Sequence, residues 1–145
     1  MNKTELELKC REKADELIKH YFPNFIHEAA IERPEKLAVE YSDELPYKVE
    51  SEFSDWLSDL WKDVAPANSR SYKEIMNLHL NMSMVDADYV PLLKGAREDA
   101  EKTTLWERIT KSNHEDVTYY KGLLKEYTEK LLDTMVKDFV EETPD

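Results

Sequence analysis

From Phe53 to Val64 the apolar residues Phe53, Trp56, Leu57, Leu60, Trp61 and Val64 recur every three or four positions, and Glu52, Asp55, Asp59 and Asp63 interleave with them at spacings of three, four and four. At about 100° per residue the acids fall on one stripe and the apolar residues on the other side. The spacing predicts a helix from about Pro46 to Val64, with Pro46 as its first residue and Pro66 closing it. Such a helix buries an aromatic-rich face and presents a nearly pure carboxylate face to water, with only Lys62 close by in sequence.

Helical periodicity continues on both sides. Thr4 and Glu7 read as a capping box ahead of Leu6, Cys10, Ala14, Leu17, Ile18 and Tyr21, with Glu5–Lys9 and Asp15–Lys19 pairs outside and Pro23 as the stop. A short helical segment from Asn24 to Ile31 follows, ending near Pro34. Asn68 to Arg70 reads as a linker, and Ser71 caps a segment carrying Tyr72, Ile75, Met76, Leu80 and Ala87. Asp88 and Pro91 are expected to open another helix through Leu92, Leu93, Ala96 and Ala100, and Thr104 with Glu107 a further one through Leu105, Trp106 and Ile109. Asn113 caps a last helix of about 28 residues, ~40 Å long, running to Glu141. Its stripe of Val117, Tyr120, Leu124, Tyr127, Leu131, Met135 and Phe139 is widened by Leu123, Leu132 and Val136. A stripe that wide meets more than one neighbour, within the chain or across a dimer.

Two stretches read both ways. Leu37, Val39 and Tyr41 alternate, as do Leu45, Tyr47 and Val49, and Leu78, Leu80, Met82 and Met84 keep a period of two. These allow an α+β alternative with a small antiparallel sheet from 37–49 and 77–85. Pro46 weakens a central strand, and Leu and Met favour helix, so the expectation is a mainly α, single-domain bundle of five to seven helices over residues 1–145. Composition agrees: 145 residues with 15 aromatics suffice for a core, and only two glycines, Gly95 and Gly122, disfavour tight hairpins and phosphate-cradling loops.

The charge narrows the partner. A net charge of −12 disfavours direct binding to nucleic acid or to an anionic membrane surface. No apolar signal core or membrane span is visible, and the expected location is the cytoplasm. Cys10 is the only cysteine, so an internal disulfide is excluded and a thiolate zinc site with it.

Catalytic and metal signals are sparse. No Glu-x-x-His pair occurs among His20, His27, His79 and His114, and Pro23 separates His20 from His27. Asp86 and Asp88, with Asp99 or Glu101, are the carboxylates that could serve a metal-dependent all-α nucleotide hydrolase; its Glu-x-x-Glu arrangement has one candidate, Glu98 and Glu101, since Glu32 and Glu35 share the spacing but flank Pro34. Arg108 and His114, with five residues between, resemble the Arg-to-His spacing of helical HEPN ribonucleases. Ile109 departs from that pattern, where the family carries a polar residue. No catalytic residue, cofactor or metal ligand is therefore assigned.

What remains is an interaction surface. The expectation is a non-enzymatic acidic protein that inhibits or sequesters a basic partner, a nuclease or other nucleic-acid-handling protein, as immunity proteins and phage anti-defence proteins do. The residues expected to meet the partner are Glu52, Asp55, Asp59 and Asp63, with Trp61 as aromatic anchor. Four charges over about 16 Å are too sparse to act as a nucleic-acid mimic of a duplex, which carries a charge per ~3.4 Å of each strand. A second row, Glu126, Glu129 and Asp133, would be needed, and Lys125, Lys130 and Lys137 dilute it. The alternatives are the hydrolase and a protein that self-associates as a homodimer through its last helix.

Overall fold

The last helix organises the fold. In a computed structural model, which describes residues 2–22, 44–77, 81–102 and 115–143, five helices appear: α1 (Lys3–Tyr21), α2 (Leu45–Val64), α3 (Tyr72–Asn77), α4 (Asn81–Lys102) and α5 (Glu115–Glu142). Each of the first four packs against α5. Arg11 of α1 bonds Asp133 of α5. Tyr47 meets Tyr127 and Trp61 meets Phe139, so α2 runs parallel to it.

The core follows the sequence periodicity. Tyr120, Leu123, Leu124, Tyr127, Leu131, Leu132, Met135, Val136 and Phe139 of α5 are all buried, against Leu6, Cys10, Leu17 and Ile18 of α1 and Val49, Phe53, Leu57, Leu60 and Trp61 of α2. The width of the α5 stripe is thus explained by neighbours inside the chain. No strand occurs among the described residues, and the sheet alternative fails where it can be seen: 45–49 lie in α2 and 81–85 in α4. Residues 37–43 and 78–80 lie outside the described residues, as do the segments expected over Asn24–Ile31 and Thr104–Ile109 and the cap at Asn113.

The helix ends correct two expectations. Asn2, not Thr4, is the N-cap of α1: its Oδ1 accepts the Glu5 N–H at 2.8 Å, and Thr4 lies within the helix. Asn is the stronger cap, and its side-chain amide also donates to the Glu5 carboxylate at 3.3 Å. Pro91 does not start a helix but sits inside α4. The proline removes only one backbone bond, at an exposed position, and the helix runs through it. Elsewhere the stops hold. Phe22 and Ala65 cap α1 and α2, each immediately before a proline, and Asn68 takes φ 63° in the linker, a conformation Asn tolerates. The Ser71 Oγ accepts the Glu74 N–H at 3.3 Å, capping α3.

On the surface of α1, Arg11 pairs with Glu7 and Lys13 with Glu16. Arg11 also bonds Asp133 at 2.7 Å, and Lys137 reaches the other Asp133 oxygen at 3.0 Å, tying α1 to α5. At about one-third exposure this network contributes on the order of 1 kcal/mol or less.

One helix position is open to improvement. A Cβ at Gly95, in the exposed interior of α4, would meet nothing within 4 Å. Gly95→Ala is expected to stabilise the protein by about 0.5–1 kcal/mol in urea unfolding, because alanine loses less backbone entropy in a helix. A loss of stability would mean that this face of α4 is covered.

Candidate functional site

The carboxylate row comes from α2 alone. Val49, Phe53, Leu57 and Leu60 turn one side of that helix into the core, which forces Glu52, Asp55, Asp59 and Asp63 outward, and all four are exposed. Four-residue steps separate Asp55, Asp59 and Asp63 by about 6 Å along the axis.

The row is less bare than its sequence suggests. Glu52 accepts a hydrogen bond from the Tyr21 hydroxyl of α1, which holds that phenol above its ordinary value, and the Lys48 ammonium lies 5.9 Å from the Tyr21 ring centre. Lys48 is four residues before Glu52 and so lies on the same stripe, a cation that reading from Glu52 onward misses. Asp59 faces Lys62 at 3.5 Å, both side chains at least three-quarters exposed, an arrangement worth little. Asp55 and Asp63 form no ion pair among the described residues. Residues 44–64 carry six acids and two lysines, a net of −4.

Trp61 is not available as the aromatic anchor. It is 5% exposed, its Nε1 donates to the Arg70 carbonyl at 2.9 Å, and its ring meets Phe139 edge-on at 5.7 Å. Its place beside Leu60 on the inner arc of α2 outweighs its proximity to Lys62. Trp56 takes the flanking place instead. It is half-buried, stacked on Phe53 at 5.9 Å, one residue from Asp55 and four from Glu52.

The second acidic row is engaged within the protein. Glu126 accepts from the Tyr89 hydroxyl at 2.6 Å, Glu129 pairs with Lys125 at 3.7 Å, and Asp133 is shared by Arg11 and Lys137. Burial pushes the Asp133 carboxyl up, but the hydrogen bonds from Arg11 and Lys137 outweigh it and hold the group below its ordinary 3.8. A groove of about 600 Å³ between α1 and α5 mixes signs in the same way, with Arg11, Lys19, Lys125 and Lys130 beside Asp15, Glu129 and Asp133.

The hydrolase candidates among the described residues do not converge. Asp86 is half-buried and accepts from the Tyr127 hydroxyl, while Asp88 and Glu98 are exposed. Asp86 and Glu98 are separated by about 18 Å of helix axis. No group of three His, Cys, Asp or Glu able to hold a metal occurs among the described residues. His20 is exposed, edge-on to Tyr21; His27, His79, Arg108 and His114 lie outside the described residues, and so does the Glu101 side chain. The Cys10 thiol is wholly buried and burial pushes it up to about 11, which makes it a poor nucleophile.

Among the described residues no helix is long and apolar enough to cross a membrane. No family model matches the sequence, and neither a curated protein nor a solved structure matches it.

Proposed function

We propose that this chain is a non-enzymatic acidic binding protein that inhibits or sequesters a basic protein partner, a nuclease or another nucleic-acid-handling protein, in the manner of immunity or phage anti-defence proteins acting in the cytoplasm. The observation that carries the reading is the line of Glu52, Asp55, Asp59 and Asp63, all exposed along one side of α2. The mechanism is competition: carboxylates occupy lysine and arginine sites that otherwise hold phosphates, and the field of a −12 chain speeds encounter. The internal pairing of Glu126, Glu129 and Asp133 argues for engagement of a local basic patch rather than imitation of a duplex. Trp56 replaces Trp61 as the aromatic beside the row.

The test is capture from host lysate with tagged protein at low salt, followed by a salt gradient. The expected result is one basic or nucleic-acid-handling protein, released as salt rises and absent when Asp55 and Asp59 are reversed to lysine. Equal capture by both forms would remove α2 as the binding face. Self-association is a second reading, with Met84 and Leu92 of α4 and Tyr119 of α5 exposed at 66%, 52% and 57%; a concentration-independent mass would remove it.

A further inference from the structure

The face shared by α1 and α5 differs in charge from the rest of the molecule. A groove of about 600 Å³ lies between the two helices. Its floor is apolar: Ile18, Leu132 and Val136 are buried and Ala14 is half-buried. Its lining carries four cations and three acids, a net of +1, so the rest of a −12 chain carries −13. Part of this charge is engaged inside the protein: Arg11 by Glu7 and Asp133, and Lys125 by Glu129. Three lining charges are left over. Among the described residues Asp15, Lys19 and Lys130 enter no ion pair, although Asp15 and Lys19 stand four apart in the order that favours one. All three are exposed.

Beside the groove stands a ridge. Leu8, Asp15 and Lys19 fall within about 40° of one another around α1, and Leu8 is 60% exposed. One line of the helix therefore carries a large apolar side chain in water, an unpaired acid and an unpaired cation. A ridge of this kind is what the groove between two helices accepts when helices pack. The signs select what docks. A basic protein or a polyanion finds like charges here, whereas a second copy turned about a two-fold axis brings acid to cation and cation to acid. The total of −12 does not forbid that approach. At about 0.15 M salt charges are screened beyond about 8 Å, so the acids of the other faces weigh little against contacts made at the groove.

We propose that the α1–α5 face is a homodimer interface, in which the Leu8–Asp15–Lys19 ridge of each copy seats in the groove of the other and Asp15 of each lies between Lys19 and Lys130 of the other. This rests on the self-association reading and names its surface; it is independent of the basic partner assigned to α2. Each cross-pair occurs twice, once from each copy, as a two-fold requires. Exposed ion pairs contribute little one by one, so the dimer forms as concentration rises and dilute protein is monomeric. The carboxylate row of α2 stays outside the interface.

The experiment is sedimentation equilibrium from about 10 µM to 1 mM protein at about 0.15 M salt. The wild-type mass is expected to rise from 17.1 kDa toward twice that value. Two double variants carry the test. Lys19→Glu with Lys130→Glu takes the chain from −12 to −16, and Asp15→Lys with Glu129→Lys takes it to −8. Each alone should self-associate at least tenfold more weakly than the wild type, because each leaves one sign in excess on the face. Mixed in equal amounts, the two should pair again. The second variant is the sharper of the two, since net charge alone would make it associate more strongly. Asp55→Lys with Asp59→Lys also reaches −8, on α2, and should dimerise at least as well as the wild type. A wild type that stays monomeric throughout overturns the interface and the self-association reading together. A dimer that both groove variants leave intact, or a mixture that does not pair, overturns the interface alone.

Discussion

Phe139→Ala is expected to cost about 3–5 kcal/mol of unfolding free energy. Phe139 is wholly buried near the end of α5, where Trp61 of α2 meets it edge-on at 5.7 Å and Tyr72 of α3 tilts against it at 6.2 Å. One ring therefore joins three helices. Alanine leaves a void that Trp61 cannot fill, because its Nε1 is fixed to the Arg70 carbonyl. For 145 residues the unfolding entropy is roughly 0.3 kcal/mol per kelvin, so the loss corresponds to a fall in Tm of about 10–16 °C. Against a typical total of about 5–15 kcal/mol, this is a large share of the stability. Leu8→Ala, at a side chain 60% exposed on α1, serves as the contrast and should stay within about 0.5 kcal/mol. A change below about 1 kcal/mol at Phe139 would mean that this end of the bundle is not packed as described.

That cluster also explains which parts of the fold were legible in the sequence. Apolar recurrence every three or four residues placed α2 and α5 and most of their buried faces, because a helix with a wide apolar arc has one way to bury it. The alternation at Leu45–Val49 and at Met82–Met84 suggested strands, yet α2 and α4 run through both. A period of two over three to five residues is weak against a longer helical pattern and against residues that favour helix. Pro91 misled for a related reason: a proline marks a boundary only where the lost hydrogen bond and the ring clash are not offset by packing further along, and Leu93, Ala96 and Ala100 supply that packing.

The acidic row was legible for the same geometric reason as the core, since it is the complement of the buried arc of α2. Its modifiers were not. Tyr21 reaches Glu52 from another helix, 31 residues away, and the Asp133 network joins residues 122 apart. No periodicity encodes such contacts. Trp61 shows the opposite error. Proximity in sequence to the exposed Lys62 suggested an interface, whereas its angle on the helix, one step from Leu60, already placed it inside. Likewise Glu126 and Asp133 read as surface acids until Tyr89, Arg11 and Lys137 are seen to engage them.

Reversing Asp55 and Asp59 together to lysine is expected to slow association with the basic partner proposed above by about tenfold or more at low ionic strength. The four carboxylates of the row carry −4; changing two of them from −1 to +1 brings the row to zero. The pair is chosen because it leaves the fold alone. Both side chains are exposed; Asp55 has no ion-pair partner among the described residues, and Asp59 has only the solvent-exposed contact with Lys62. Glu52 is avoided because its bond to Tyr21 links α2 to α1, so a loss there would mix docking with folding. The variant should unfold within about 0.5 kcal/mol of the wild type, and that measurement comes first. Association rates are then followed from about 50 to 500 mM salt. The wild-type rate should fall steeply as screening shortens the reach of the row, while the variant starts low and stays nearly flat, so the two converge at high salt. Steering and contact separate at that point. Convergence means the row acts through its field, whereas a gap that persists at high salt means that Asp55 or Asp59 touches the partner directly, beside Trp56. Equal rates at low salt would show that α2 is a solvated face and that the partner docks elsewhere.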